Sequence, residues 1–317
     1  LIHIAVTPTL TERIQFTERR TDFENFDYFG VVGAMGAFAL TAALLLGAAF
    51  FLSRKQWTGS EPWQDDVDVK RLLGFQLWII LYALASNLLM NVDLYLVKAM
   101  LSDDTAVGVY AACVQVARLP YVAVISVTFV LFPVISKALY AGDTEGARSG
   151  MFTACRYALL IIGPVALTLA ALSADVLTLV FPALYASGAG QLTALTLGYV
   201  GFAFLSIFST ILSSAGKPQL ATLFMVMSLA FSDAATWLGV SSFGALGAAI
   251  GVAVAMGSGA FVTGFTLRSL FGARFPFATL GRLALSSLPI FVLGTLWEPS
   301  GKVMIAIKGA LFFSAFW

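Results

Sequence analysis

The sequence predicts an all-α protein that crosses a membrane about nine times, and three observations carry that prediction. Hydrophobic residues fill 59% of the 317 positions and charged residues 11%, with a mean hydropathy of +0.91, whereas soluble domains are about 25% charged. The apolar residues fall in runs of about 20, the length at which a helix spans the hydrocarbon core of a bilayer. Those runs are continuous rather than alternating, which excludes the strands of an outer-membrane barrel. The formal net charge is +1 and no Lys/Arg cluster forms a basic face, so nucleic acid is excluded as a partner. One His (His3) and two Cys inside apolar stretches (Cys113, Cys155) offer neither a metal-ligand set nor a disulfide framework, and no cofactor is expected.

Residues 1–28 differ from everything after them: they carry three Arg and five acids without an apolar run, and read as an extramembrane segment or a sequence artefact. The apolar runs then follow in series at roughly 31–52, 73–96, 107–136, 149–171, 190–213, 219–239, 245–268, 280–297 and 303–317. Between the fourth and fifth, residues 174–190 hold Phe181, Pro182 and Tyr185, which suit a short helix lying in the interface rather than a full span. The first residue is Leu and the last run stops at Trp317, so the chain is expected to be cut at both ends. Small residues four apart, as at Gly247 and Gly251, allow helix backbones to approach closely in lipid. The lone "SAGKP" at 214–218 lacks the glycine and hydroxyl residue that a phosphate-binding loop needs, and ATP hydrolysis is not expected.

Orientation follows from the cations, because cytoplasmic joints are enriched in Lys and Arg. One alternate set of joints holds Arg54, Lys55, Lys70, Arg71, Lys137, Arg148, Lys217, Arg268 and Arg274; the other, past residue 28, holds Lys98 and Lys302. The first set therefore lies inside. The longest inner joint, 53–69, carries Trp57, Trp63 and four acids and is too small for a catalytic domain. No Ser/His/Asp constellation or carboxylate pair is visible, and the chain is not expected to be an enzyme.

An ionisable group inside a span costs roughly 2.5 to 3.5 kcal/mol and calls for a partner, a cavity or a function. Arg118 lies mid-span, two residues before a helix-kinking Pro120, with Gln115 one turn earlier. It suits a phosphate or sugar hydroxyls, or else a structural pair with a carboxylate of a neighbouring helix. Asp93, near the outer end of its span beside Asn87, Asn91 and Tyr95, suits ion coupling, or else snorkelling outward or pairing with Lys98. Asp233 lies deeper and suits H+ or Na+ coupling, or else a neutral acid bonded to its own helix. Arg156, one or two turns inside the inner end, suits an anchor for anionic lipid headgroups.

The run 91–121, "NVDLYLVKAMLSDDTAVGVYAACVQVARLPY", resembles a signature of polysaccharide-biosynthesis flippases of the multidrug/oligosaccharidyl-lipid/polysaccharide exporter superfamily. Further pieces follow in the family's order: "LFPVISKAL" (131–139), "GDTEGARSGMFTACRY" (142–157), "VLTLVFPALYASGA" (176–189), "SSAGKPQL" (213–220) and "FGALGAAIGVAVA" (243–255). One departure is "SDAATW" (232–237), where the family usually has an Asn-rich helix. The resemblance implies two six-helix lobes around a central cavity. Residues 29–52 would then be the last helix of the first lobe, 53–72 a cytoplasmic loop, 73–270 the second lobe, and 271–317 the start of an extra helix pair. It also implies a multi-pass protein of the bacterial inner membrane that turns undecaprenyl-diphosphate-linked oligosaccharide outward by alternating access. Arg118, Gln115, Asn87 and Asn91 would face the substrate, Asp93 and Asp233 would couple an ion, and a polymerase and glycosyltransferases would be pathway partners. The nearest rivals are a lipid II flippase or a cation-coupled drug exporter of the same superfamily. A membrane-embedded polysaccharide polymerase or ligase would need a larger outer loop.

Overall fold

The computed structural model describes residues 33, 36–37, 39–52, 54, 69–272, 275–276, 278–283, 285–286 and 302–314. Two units separate, 1–68 and 69–317. In the first, helix α1 (Ala39–Leu52) is apolar throughout and falls within the run expected at 31–52; the segment 1–28 and the joint 55–68 lie outside the described residues. So do 287–301, and with them most of the expected run at 280–297.

The second unit contains α2 (Val69–Leu89), α3 (Val92–Met100), α4 (Asp104–Ala117), α5 (Leu119–Tyr140), α6 (Thr144–Ala171), α7 (Ser173–Val180), a 3-10 turn (Ala183–Gly188), α8 (Ala189–Ser214), α9 (Pro218–Phe271) and α10 (Lys302–Ser314). Among the described residues there is no strand, and four helical stretches are long and apolar enough to cross a bilayer. The protein is thus an all-helical membrane protein, as its composition predicts.

Four runs depart from simple rods. The run expected at 73–96 is broken into α2 and α3 by a turn at Met90–Asn91. The run expected at 107–136 divides at Arg118, with Pro120 in the first turn of α5, where a missing N–H costs least. The runs expected at 219–239 and 245–268 are joined as α9, whose 54 residues would extend about 80 Å at 1.5 Å per residue, more than twice the hydrocarbon thickness. Gly244 resolves this: its φ of 60° and ψ of −143° are open to glycine alone. The chain reverses there, so that Ala235 lies against Gly251 and Gly239 against Gly247. With these breaks placed, residues 69–271 run back and forth six times.

Connectivity then gathers the ends. Arg148 at the start of α6 donates from Nε to the Phe271 carbonyl at 2.6 Å, and Lys217 lies 5.6 Å from the Phe271 ring centroid. Cations expected on the inner side from three separate joints therefore meet at one end of the bundle. At the other end lie the Gly244 turn, the α3–α4 joint, α7 and the 3-10 turn, in which Phe181 and Tyr185 stack at 5.1 Å. This is the short non-spanning element expected at 174–190. Helix α10 docks on α6 and α7, and Lys308, 1% exposed, pairs with Asp175 of α7 at 2.7 Å.

Helix α8 is the axis of the unit, packed by α4, α5, α6 and α9. Its contact with the second arm of α9 is backbone on backbone: a Cβ added at Gly201 would lie 2.9 Å from Gly257 Cα, and one at Gly198 2.9 Å from Ala253 Cα. Close approach of this kind is what holds helices together where lipid removes the hydrophobic drive. A Cβ added at Gly257 itself meets nothing within 4 Å. The variant Gly201→Ala should therefore lose about 1–3 kcal/mol of stability through overpacking, read as a lower melting temperature in detergent, while Gly257→Ala should melt like the parent; equal behaviour of the two would contradict this packing.

Candidate functional site

The break between α2 and α3 leaves the Met90 carbonyl outside a helical ladder. Two side chains from elsewhere in the chain satisfy it. Arg118, at the α4–α5 junction, donates to it from Nη2, and the hydroxyl of Tyr199, buried on α8, donates to it at 3.3 Å. Arg118 Nε donates to the Tyr199 hydroxyl at 3.0 Å, and Nη2 also donates to Asn91 Oδ1 at 3.0 Å. The guanidinium carbon lies 5.8 Å from the Tyr199 ring centroid, within cation–π range. Asn91 in turn donates from Nδ2 to the Asn87 carbonyl at 2.8 Å, and Asn87 from Nδ2 to the Ala83 carbonyl at 2.8 Å.

These bonds occupy three of the five guanidinium N–H groups. The two on Nη1 have no hydrogen-bond partner among the described residues, and Arg118 is only half-buried. The cation is thus fixed on one side and open on the other, a geometry suited to an oxyanion.

Asp93 stands beside this cluster. It is 1% exposed, accepts from the Tyr110 hydroxyl at Oδ2 over 2.9 Å, and lies within electrostatic range of Arg118. Its Oδ1 is buried without a hydrogen bond.

Two expectations are corrected here. Asp93 neither snorkels nor pairs with Lys98, because residues five apart on a helix point about 140° from one another; Lys98 pairs instead with Asp104 at the start of α4. That pairing holds the Asp104 carboxyl below the ordinary carboxylate range, through the hydrogen bond first and the charge second. Arg118 does not pair directly with a carboxylate of a neighbouring helix; its bonds go to a carbonyl, an amide and a phenol.

The structure brings Arg118, Asn91 and Asp93 together, with Asn87 one turn below. Gln115 is exposed on α4 outside the hydrogen-bonded cluster. Asp233 is half-buried on the first arm of α9, its Oδ1 without a hydrogen bond, and is not part of the cluster. Arg156 is exposed on α6. Sequence reasoning missed Tyr199 and Tyr110; the available signal was a phenol inside an apolar helix, which needs a polar partner when buried. Further toward the inner side, Tyr82 of α2 stands beside Tyr121 of α5 and faces Ser206 and Ser209 of α8, extending the polar face of α8 below Tyr199.

Comparison with known proteins follows the same residues. Positions 26–139 match the family described as "Polysaccharide biosynthesis protein", a stretch that includes Asn91, Asp93 and Arg118. An uncharacterized membrane protein of Methanocaldococcus jannaschii is 30% identical over 125 residues, 39% of this chain and 25% of that one. The fold is similar to that of the lipid II flippase MurJ in an inward closed conformation, with a TM-score of 0.62 at 17% identity, over 74% of this chain and 51% of that one. The chain thus spans about a quarter of the curated relative and about half of the flippase. The family match covers the first two of the ordered motifs, 91–121 and 131–139, and the shared fold agrees with the helical arrangement that the resemblance implies.

The Tyr110–Asp93 bond gives a direct test. Replacing Tyr110 by Phe leaves a buried carboxylate oxygen without its donor and should lower stability by about 1–3 kcal/mol. The same replacement in an Asp93→Ala background, which has no acceptor left, should cost measurably less, because the two residues share one bond; additive losses in thermal melting would show that they do not interact.

Proposed function

We propose, from the match to the polysaccharide-biosynthesis family, that the chain forms one lobe of a transporter that turns lipid-linked oligosaccharide from the inner to the outer leaflet of the bacterial cytoplasmic membrane. The observation that carries this reading is the pair of unpartnered N–H groups on Arg118. A diphosphate linking sugar to polyprenol offers several anionic oxygens, and a guanidinium anchored by three hydrogen bonds loses little freedom in meeting one. Asn87, Asn91 and Gln115 are the neighbouring amides assigned to sugar hydroxyls.

Alternating access requires that outer contacts break and inner ones form in turn. The Met90 carbonyl, Asn91 and Tyr199 hold Arg118 across the α2–α3 break, α4–α5 and α8. A phosphate oxygen competing for Arg118 would loosen that tie and so bias the lobe toward opening. Asp93 and Asp233 are assigned to H+ or Na+ coupling, since each holds a carboxylate oxygen without a hydrogen bond inside an apolar helix. Arg156 is assigned to lipid headgroups, and the polymerase and glycosyltransferases of the same pathway are the proposed protein partners. The likeness of fold to a lipid II flippase supports a second reading in which the carried unit is a peptidoglycan precursor; both substrates share the polyprenyl diphosphate that Arg118 would meet.

The test is flipping of a fluorescent lipid-linked oligosaccharide in proteoliposomes. Arg118→Ala should slow it about 10- to 100-fold, the loss of one charge-assisted hydrogen bond to phosphate, and Arg118→Lys should recover part of the rate as a point charge without the fork. Movement at the parental rate in Arg118→Ala would overturn the assignment.

A further inference from the structure

Helix α8 has two working faces. Tyr199, Phe202, Ser206 and Ser209 follow the 3, 4, 3 spacing of one stripe, the one that meets Arg118, Tyr121 and Tyr82. Gly201, Phe204, Phe208 and Ile211 follow the same spacing two positions on, about 200° around the helix. Against this second stripe lies a cavity of about 530 Å³, lined also by α6, the second arm of α9, and Phe275 and Leu280 beyond it.

Its walls are apolar. Phe204, Phe208 and Phe275 meet edge-on or tilted at centroid distances of 5.5 to 6.4 Å, Met151 and Cys155 line the α6 side, and Gly264 keeps the α9 side low. Phe261 and Phe265, both exposed, stand at its rim. Apolar cavities of this kind stay dry, and with two exposed phenylalanines at the rim the walls suit a hydrocarbon chain.

At the inner end of the same cavity the charge changes. Arg268 lines the cavity and is exposed; one turn on, Lys217 stands over the Phe271 ring and Arg148 holds the Phe271 carbonyl. Glu145 lies 3.5 Å from Arg148, whereas neither Lys217 nor Arg268 has an ion-pair partner among the described residues. Two unpaired cations at the headgroup level above an apolar slot fit one molecule: a phosphate at the mouth and a hydrocarbon chain behind it.

We infer that the groove between α6, α8 and the second arm of α9 holds an anionic glycerophospholipid of the inner leaflet, its phosphate on Arg268 and Lys217 and one acyl chain against Phe204 and Phe208. The site lies across α8 from Arg118 and is separate from the polar face assigned to the transported molecule. A lipid seated there braces α6 against the backbone contact of α8 with α9, and makes the stability of the lobe dependent on the charge of the surrounding membrane.

Retention of dioleoyl-phosphatidylglycerol and dioleoyl-phosphatidylcholine by the purified protein, read by native mass spectrometry with thermal melting alongside, tests this. The parent should retain one phosphatidylglycerol in preference to phosphatidylcholine and melt higher with it. Arg268→Gln with Lys217→Gln should weaken phosphatidylglycerol about 25-fold, fivefold for each charge, and leave phosphatidylcholine unchanged. Ala260→Phe, which fills the slot, should reduce retention of both, and Arg118→Ala should change neither. Equal retention of the two lipids by the parent, full phosphatidylglycerol binding by the charge variant, or displacement of phosphatidylglycerol by undecaprenyl phosphate at equal concentration would each overturn the proposal. The charge variant decides the matter even if the filled-slot variant does not fold.

Discussion

In hydrocarbon a backbone carbonyl released from a helix finds no water, and the protein must supply its partner. The Met90 carbonyl is such a group, and the middle of the lobe is arranged around it. Its two donors, Arg118 and Tyr199, come from positions 28 and 109 residues away, so one turn in the α2–α3 crossing ties together three crossings distant in sequence. The arginine itself is tolerated at that depth for the same reason: three of its donors are bonded and a phenol ring lies within cation–π range. What makes the cluster more than a structural plug is that this satisfaction is incomplete on the Nη1 side.

A second constraint acts on the scale of whole helices. Where lipid is as apolar as the side chains, helices associate through close fit and a few polar contacts, and both are concentrated on α8. Its glycines admit the second arm of α9 to backbone distance, its Tyr199 closes the polar cluster, and its phenylalanines wall a groove. One helix therefore carries the fold's tightest packing and separates two chemically opposite surfaces.

Much of this was legible in the sequence because it depends on local pattern. The apolar runs, the break near Pro120, the short outer element around Pro182 and the sidedness of the cations follow from hydropathy, ring geometry and charge. Arg118 drew attention because a cation in an apolar run is costly. Its partners were not legible: nothing between 73 and 96 marks a break at Met90–Asn91, which contains neither Gly nor Pro, and the pairing of residue 118 with residue 199 is set by packing rather than spacing. Asp93 shows the same limit from the other side. Its position suggested Lys98, five residues on, but helical geometry turned that lysine toward Asp104 and left Tyr110, 17 residues away, as the partner.

The reversal at Gly244 bears on how the chain is made. A single residue connects two crossings, so no segment there can pause outside the membrane as a separate loop while the second crossing waits to enter. The two arms of α9 therefore act as one helical hairpin, with Lys217 and Arg268 at its two open ends. A side chain placed at Gly244 would strain that turn, and the cost would fall on closing the hairpin rather than on any contact between its arms and their neighbours.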